Sequence, residues 1–425
     1  MIRFILKGVL RDRSRSLIPV LIVAIGVTLT VLIYGWMNGV VDNLMRTNAY
    51  YNTGHLKVAT RAYWTEAEQL PNDLALTGMD RLLTFLHKNY PDVEWKPRIR
   101  FGGLLDIPGP NDETREQGPT AGIALDLFES GKWAERRLFK LQESLVKGRL
   151  PRTQNEVLLS NQMARSMNID MGDEATLIGS TMYGGMAMYN FKVVGVLTFG
   201  VQLLDRGSMI AHLNAVQRAL NMDNACSEIY GIFKNDIYSA ERAADIKQDF
   251  NRQKSKPDDA FSPQMKLLTD QQGLGELLPV YRSAWLVLLL IFVAAMSIVL
   301  WNAGLMAGIR RYGEIGVRLA MGEDKGHLYR MMIAESVIIG LIGSVLGTAI
   351  GLAGTYYLQS VGVDISGFME DASMFIMDRV RARVTPTSYV IGFIPGLLAT
   401  ILGTSISGIG IYKRQTSQLF KELET

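Results

Sequence analysis

Four histidines (His55, His87, His212 and His327) and one cysteine (Cys226) are what this 425-residue chain offers for metal or nucleophilic chemistry beyond its carboxylates and hydroxyls. None of the histidines stands in an H-E-x-x-H pattern or in a Cys/His spacing that would gather the donors a zinc ion needs. A G-x-S-x-G nucleophile elbow is absent. So is the G-x-x-x-x-G-K-[ST] loop whose backbone N–H groups cradle phosphate. Glycine pairs such as Gly340 and Gly343 lie inside apolar runs, where a phosphate has no place. The residues point away from catalysis, and no cofactor is expected in this chain. One cysteine makes no internal disulfide, so cysteine usage leaves the compartment open.

The residues with chemistry to offer cluster elsewhere, in RRYGEIGVRLAMGEDKGHLYRMMIAES, residues 310–336. Ile315 and Leu319 are four apart, and Glu314 with Arg318 is spaced for an i, i+4 ion pair on one helix face. Gly322, after Ala320 and Met321, is placed to end that helix as its C′ residue. A second amphipathic run, 325–330, follows. The spacing predicts a short ordered helix exposed to solvent, suited to docking on another protein.

Long apolar segments must position that helix. Residues 16–41, 283–309, 336–363 and 384–412 contain no Asp, Glu, Lys or Arg. Each exceeds the roughly 20 residues needed to cross a bilayer core, so four transmembrane helices are expected. Lys and Arg near their ends set the orientation. Arg3, Lys7, Arg11, Arg13 and Arg15 precede the first run. Arg310, Arg311, Arg318, Lys325 and Arg330 lie between the second and third, and Lys413, Arg414 and Lys421 follow the fourth. With four crossings these groups share one side, the cytoplasm, which also holds both termini. Residues 42–282 then form one large outside domain and 364–383 a short outside loop. Arg379, Arg381 and Arg383 in that loop run against the rule. The first run is too long for a cleaved signal and reads as an anchor. Residues 1–15, with Ile2, Ile5, Leu6, Val9 and Leu10 on one face, read as an interfacial amphipathic helix. Residues 310–335 are the cytoplasmic element and 413–425 a cytoplasmic tail.

The spans hold no ionisable residue, which disfavours an ion-coupled carrier. They hold small residues instead. Gly343, Gly347 and Gly351 repeat at small-xxx-small spacing in the third span, which lets helix backbones approach closely. The partner helix could lie in this chain or in a second subunit. Pro395 predicts a kink in the fourth span.

The outside segment reads as mixed α/β. Strands are expected over 55–59, 95–107, 122–125, 156–159, 175–179, 190–198 and 228–233, and helices over 79–88, 161–167, 213–220 and 240–253. Two packed subdomains are expected, one built from both ends of the segment and one β-rich and inserted at about 100–205.

Several stretches resemble the FtsX/MacB-type permeases of ABC transporters. In residues 310–351 the family pattern R-x-x-E-I-G-x-x-x-A-x-G falls on Arg311, Glu314, Ile315, Gly316, Ala320 and Gly322, followed by Glu335 and a Gly-rich helix. MNGVVDNL, residues 37–44, is similar to the lipoprotein-releasing LolC/LolE group of that family. LVKGRLPRTQNEVLLSNQMARSMNIDMGDEATLI together with YNFKVVGVL resembles the MacB-like periplasmic core domain. The Pro that usually follows the fourth span is missing from YKRQTSQLFKELET.

The resemblance implies a fold of four transmembrane helices plus a large α/β extracytoplasmic domain, in the bacterial inner membrane. It implies two permease protomers, identical or paralogous. Each docks a separate cytoplasmic ATPase, which binds the ATP and Mg, through Arg311, Glu314, Ile315, Arg318, Met321 and Gly322. The implied mechanism is mechanotransmission without a pore, acting on a lipoprotein or other amphipathic cargo taken from membrane lipid. Alternatives are efflux of peptides or drugs with a membrane-fusion partner, and control of a cell-wall hydrolase. Nucleic acid is not an expected partner.

Overall fold

A computed structural model describes residues 13–109, 113–200, 202–271, 273–309, 312–364 and 379–413. The predicted interfacial helix and the tail therefore lie outside the described residues, apart from their inner ends. The chain forms two compact units. One comprises Met1–Asp42, Val280–Val363 and Val380–Thr425, and the other Asn43–Pro279 with Asp364–Arg379.

The first unit is built on long apolar helices: α1 (Arg13–Asn48), α6 (Leu274–Ile309), α8 (Lys325–Val361) and α9 (Thr400–Lys413). Among the described residues, four helical segments are long and apolar enough to cross a membrane: Leu17–Thr53, Leu274–Asn302, Lys325–Val361 and Pro386–Ile409. The last is not one regular helix. A π-helical turn, Ile394–Ala399, surrounds Pro395 before α9 begins. This is how the backbone absorbs a residue that has no N–H and clashes with the preceding turn. Val23, Val27 and Val31 of α1 form the bundle core with Leu300 of α6 and Ala399. Outward faces are apolar as well, with Leu286, Ile291, Leu346 and Leu402 all more than 40% exposed. That is the pattern of a helix whose surroundings are hydrocarbon rather than water.

The second unit is a ten-stranded sheet wrapped by short helices. Its strands are β1 (Leu56–Thr60), β2 (Val93–Pro108), β3 (Thr114–Leu125), β4 (Leu145–Gly148), β5 (Glu156–Ser160), β6 (Glu174–Ser180), β7 (Met186–Leu197), β8 (Ser208–His212), β9 (Glu228–Phe233) and β10 (Pro263–Leu267). The order is β10-β1-β9-β2-β3-β8-β5-β7-β4, with β6 pairing both β2 and β7. Period-two alternation sends Met209 and Ala211 of β8 to one core and Ile210 to the other. β5 does the same with Val157 and Leu159 against Leu158. Helices α2 (Met79–Asn89), α4 (Leu213–Ala219) and α5 (Ala240–Lys254) deliver Leu86, Val216 and Phe250 to the first core. Helix α3 (Asn161–Ser166) adds Met163 there.

The long strand β2 changes partners midway. Residues 93–98 pair antiparallel with β9, and 99–108 pair antiparallel with β3. Strands β9, β1 and β10, from the two ends of the segment, therefore continue the sheet beyond the first half of β2, and β3, β8, β5, β7 and β4 beyond its second half, where β6 also pairs residues 104–106. Strands β4, β8 and β10 were not among the expected elements. β8 is a five-residue run, buried throughout, that leads straight into α4. β10 begins at a proline, a residue a strand tolerates at its first position or at an edge.

Candidate coupling elbow and helix grips

The elbow between α6 and α8 contains helix α7 (Tyr312–Ala320). Arg311 lies outside the described residues, as do the side-chain surroundings of Glu314 and Ile315, so their expected pairing is not described. Gly316 is buried, Arg318 half-buried, and Val317 and Met321 are 42% and 75% exposed. Val317 and Met321 are one helical turn apart, which places two large apolar side chains side by side in the open.

The end of α7 is closed by its own backbone. Gly322 has φ +92°, its N–H donates to the Leu319 carbonyl (3.0 Å), and the Glu323 N–H donates to the Arg318 carbonyl (3.1 Å). This is the paired bonding of a Schellman cap, and it uses the left-handed conformation that glycine adopts without strain. Two residues later Asp324 starts α8, its carboxylate accepting from the His327 N–H at 3.1 Å. An Arg318 Nη1–Met331 Sδ contact of 3.4 Å joins the two helices. Two caps back to back fix the angle between α7 and the long helix.

Gly343, Gly347 and Gly351 meet α1 of the same chain. A Cβ at Gly343 would stand 2.7 Å from the Val23 Cβ, and one at Gly351 2.8 Å from the Val31 Cβ. At Gly347 it would stand 2.5 Å from the Ala24 carbonyl oxygen. Thr28 Oγ1 donates across the seam to the Gly347 carbonyl (3.1 Å). A second stripe faces the fourth segment, where Gly396 adjoins Ser344 and Gly392 adjoins Thr348. Further along α1, Gly39 accommodates the backbone of Arg381 and Ala382. There the Arg383 N–H donates to the Gly35 carbonyl (2.9 Å), and its guanidinium pairs with Asp42. One of the three arginines that run against the charge rule is thus used as an internal tie.

In the second unit, α1 ends in a π-helical turn, Ala49–Thr53. Side chains from several elements grip it. Arg98 Nη1 of β2 donates to the Tyr50 carbonyl (2.7 Å), and Arg100 Nη1 donates to Asn52 Oδ1 (2.7 Å). Gln271 Nε2 donates to the Thr53 carbonyl (3.1 Å). The Tyr230 hydroxyl of β9 lies within donating distance of the Asn52 carbonyl (2.9 Å) and of Glu228 Oε2 (2.5 Å).

Arg98 is itself immobilised. It is fully buried, pairs with both oxygens of Glu135 (2.7 and 2.9 Å), and lies 4.0 Å over the Tyr230 ring and 4.8 Å from the Phe139 ring. Burial alone would lower the Arg98 pKa, but the Glu135 carboxylate beside it more than offsets this and raises it. Burial would push the Glu228 carboxyl up, yet Lys57 and Arg100 hold it below the usual range.

Arg98, Arg100, Tyr230, Glu135 and Asn52 were not singled out in the sequence. Their one sequence signal is WKPRIR, residues 95–100, where Lys96, Arg98 and Arg100 alternate with Trp95 and Ile99 in a strand. Basic residues at period two on a buried strand need buried acceptors, and those of Arg98 and Arg100, Glu135 and Asn52, come from more than 30 residues away.

His55, His212 and Cys226 are packed inside the sheet domain. His55 is buried, its Nδ1 accepts from the Phe233 N–H (3.1 Å), and burial lowers its pKa to about 4. His212 packs against Phe128 with ring centroids 4.5 Å apart, tilted by 54°. Cys226 is fully buried, and burial pushes its thiol far up. Among the described residues no group of three His, Cys, Asp or Glu could hold a metal ion.

Comparison with known proteins places these elements. Residues 16–248, more than half of the chain, match the MacB-like periplasmic core domain, and residues 286–416 match the FtsX-like permease C-terminal family. A lipoprotein-releasing system transmembrane protein LolC from Haemophilus influenzae is 23% identical over 60% of this chain and 61% of its own length. LolC from Xylella fastidiosa (strain 9a5c) is 22% identical over 48% of this chain and 49% of its own. The macrolide export ATP-binding/permease protein MacB of Chromobacterium violaceum is 27% identical over 30% of this chain and 20% of its own. The chain thus spans about half to three fifths of the LolC relatives it matches. The chain belongs to the FtsX/MacB-type family of ABC transporter permeases.

Proposed function

We propose that this chain is a permease subunit working by mechanotransmission in the bacterial inner membrane. A separate cytoplasmic ABC ATPase, carrying ATP and Mg, docks on the elbow formed by α7 and the start of α8. Val317, Arg318, Met321 and Gly322 form the described part of the docking surface, with Arg311, Glu314 and Ile315 beside them in sequence. Two such protomers, identical or paralogous, pair in the membrane. Both termini and the elbow are cytoplasmic, and residues 42–282 lie outside. Movement at the elbow passes along α8 to α1, whose backbones meet at Gly343, Gly347 and Gly351, and so reaches the outside domain.

The observation that carries this reading is the elbow. A short helix ended by a Schellman cap, followed directly by the capped start of α8, presents adjacent apolar side chains to solvent, and a plain connector needs neither. The proposed cargo is a lipoprotein or another amphipathic molecule drawn from membrane lipid. Support for the lipoprotein comes from the LolC relatives, which align over 60% and 48% of the chain, against 30% for the Chromobacterium MacB. The MacB-like core domain supports macrolide-type export as the second reading.

The test is co-purification in mild detergent, with the ATPase identified by mass spectrometry. Val317→Asp with Met321→Asp is expected to leave the chain in the membrane and to cut the recovered ATPase at least tenfold. Undiminished recovery overturns the docking assignment. Single cysteines replacing His327 and Lys132 are expected to react with impermeant reagents from opposite sides, the first from the cytoplasm.

A further inference from the structure

We infer that the buried cluster around Arg98 is a clamp that makes the end of α1 and the sheet one mechanical body, with Arg98 and Arg100 as its positioning residues. The inference rests on the reading above, in which α1 carries movement across the membrane.

The end of a helix leaves carbonyls with no partner inside the helix. Water or a single glycine usually suffices to satisfy them. Here Tyr50, Asn52 and Thr53 each offer a carbonyl to a side chain from a different place in the fold: β2, β9 and Gln271. The Asn52 side chain is taken by Arg100 as well, and Tyr50 reaches Asp236 through its hydroxyl. Leu44 and Ala49 of the same helix end also pack in one apolar cluster with Leu268 and Leu274.

The donor at the centre cannot swing. Arg98 is held by two charge-assisted bonds to Glu135, and its guanidinium lies against Tyr230 and Phe139. A planar fork in such a setting fixes both direction and distance, which a lysine would not. Stability alone does not call for this arrangement, because well-packed apolar residues can replace a buried ion pair at little or no cost. What an apolar replacement cannot do is hold the Tyr50 carbonyl at a fixed point on β2. A joint of this kind suits a lever arm that must deliver displacement to a sheet without slack.

The same reasoning supplies the test. Arg98→Met with Glu135→Leu keeps the volume apolar and removes the grip. Amide hydrogen exchange is followed on the full chain in lipid nanodiscs. In the unaltered protein, residues 44–54 are expected to exchange as slowly as β2 and β9. In the double variant, exchange at 44–54 is expected to accelerate at least tenfold, while β2 and β9 stay within about threefold. Asn52→Ala, which loses the Arg100 bond and leaves the Arg98 grip on Tyr50 in place, is expected to show a smaller acceleration confined to 49–54. Unchanged exchange at 44–54 overturns the clamp. Equal acceleration across the whole sheet also overturns it, because the pair would then serve the fold alone.

A second measurement uses the complex with the ATPase, with and without Mg-ATP. The unaltered complex is expected to show ATP-dependent exchange changes in β2 and β9. In the double variant hydrolysis is expected to continue while those changes fall at least fivefold. An unaltered complex with no ATP response sinks the permease reading and the coupling role with it. The exchange result at 44–54 alone decides whether the clamp exists.

Discussion

The two ends of α1 are held by opposite means. Within the apolar bundle it is held by shape: Val23, Ala24, Val27 and Val31 lie in notches left by Gly343, Gly347 and Gly351, with one hydroxyl bond across the seam. At its far end it is held by charge, through fully buried Arg98 with Glu135, and Glu228 with Lys57. Surroundings explain the difference. In hydrocarbon, burying apolar surface drives nothing between helices, so close backbone contact and dispersion must do the holding. A charge there would be costly. Inside a sheet domain, strands supply enough fixed dipoles and partners to satisfy a guanidinium completely. Shape fixes which faces meet but permits sliding along a smooth groove. Bonded charge fixes a point.

The sharpest way to break this contrast is to leave one charge alone. Glu135→Ala strands the Arg98 guanidinium in the core, and loss of one partner of a buried pair costs about 3–5 kcal/mol. We expect the sheet domain to be near unfolding, read as global loss of exchange protection. The Arg98→Met/Glu135→Leu chain should be markedly more stable than this single variant. If the single variant is the more stable, the pair is not a coupled unit.

In the bundle the corresponding change is Gly347→Leu, whose Cβ alone would stand 2.5 Å from the Ala24 carbonyl oxygen and 2.8 Å from the Val27 Cβ. Overpacking costs typically about 1–3 kcal/mol, and here it must separate two backbones. The expected result is a lower melting temperature in detergent with the sheet domain's exchange unaffected. Gly322→Leu, with nothing within 4 Å of its Cβ, tests strain at positive φ instead. An unchanged melt for Gly347→Leu would remove the notch from the account.

Titration separates the regions too. The four apolar runs carry no Asp, Glu, Lys, Arg or His, whereas the sheet domain holds His55 with its pKa lowered to about 4, chiefly by burial. The unfolded chain therefore takes up this proton first, near pH 6.5. The stability due to neutral His55 is present above about 6.5 and is lost as pH falls toward 4, about 3 kcal/mol across the window. Glu156, lowered to about 2 first by its Arg149 bond, adds a loss only below about 4.5. His55→Gln should flatten the stability of the sheet domain between pH 6.5 and 4.5. A decline as steep as before would assign the effect elsewhere, His212 being the next group lowered by burial.

The held-by-shape region was far more legible than the held-by-charge one. Gly343, Gly347 and Gly351 announce themselves by spacing, because helix packing repeats every turn and the pattern is local. What spacing could not supply was the partner, and the structure places it within the chain, on α1. Gly322 was legible for a similar reason, since a glycine just past the last periodic residue supplies the positive φ of a Schellman turn. Strands β5, β6 and β9 followed from alternation and turn residues. Arg98 and Glu135 form a pair through tertiary contact alone, 37 positions apart, and each by itself looks like an ordinary charge. The π-helical ends at Ala49–Thr53 and Ile394–Ala399 left no periodic trace either, although Pro395 marked the second.

The elbow between α7 and α8 belongs to neither mode, and the smallest effect tests it. Its angle is set by the Schellman cap at Gly322 and the Asp324 cap on α8, within four residues. Loss of an N-cap carboxylate costs about 1 kcal/mol. That is too little to unfold a bundle, but enough to fray the first turn of α8 around His327. Asp324→Ala should therefore leave the melting temperature nearly unchanged and raise amide exchange at 325–328 about fivefold, with Asp324→Asn retaining most of the protection. If the angle of α7 governs docking, the alanine variant should also weaken ATPase recovery by a few fold, although it removes none of the exposed apolar side chains. Full recovery together with a frayed turn would show that Val317 and Met321 suffice for docking and that the angle does not matter.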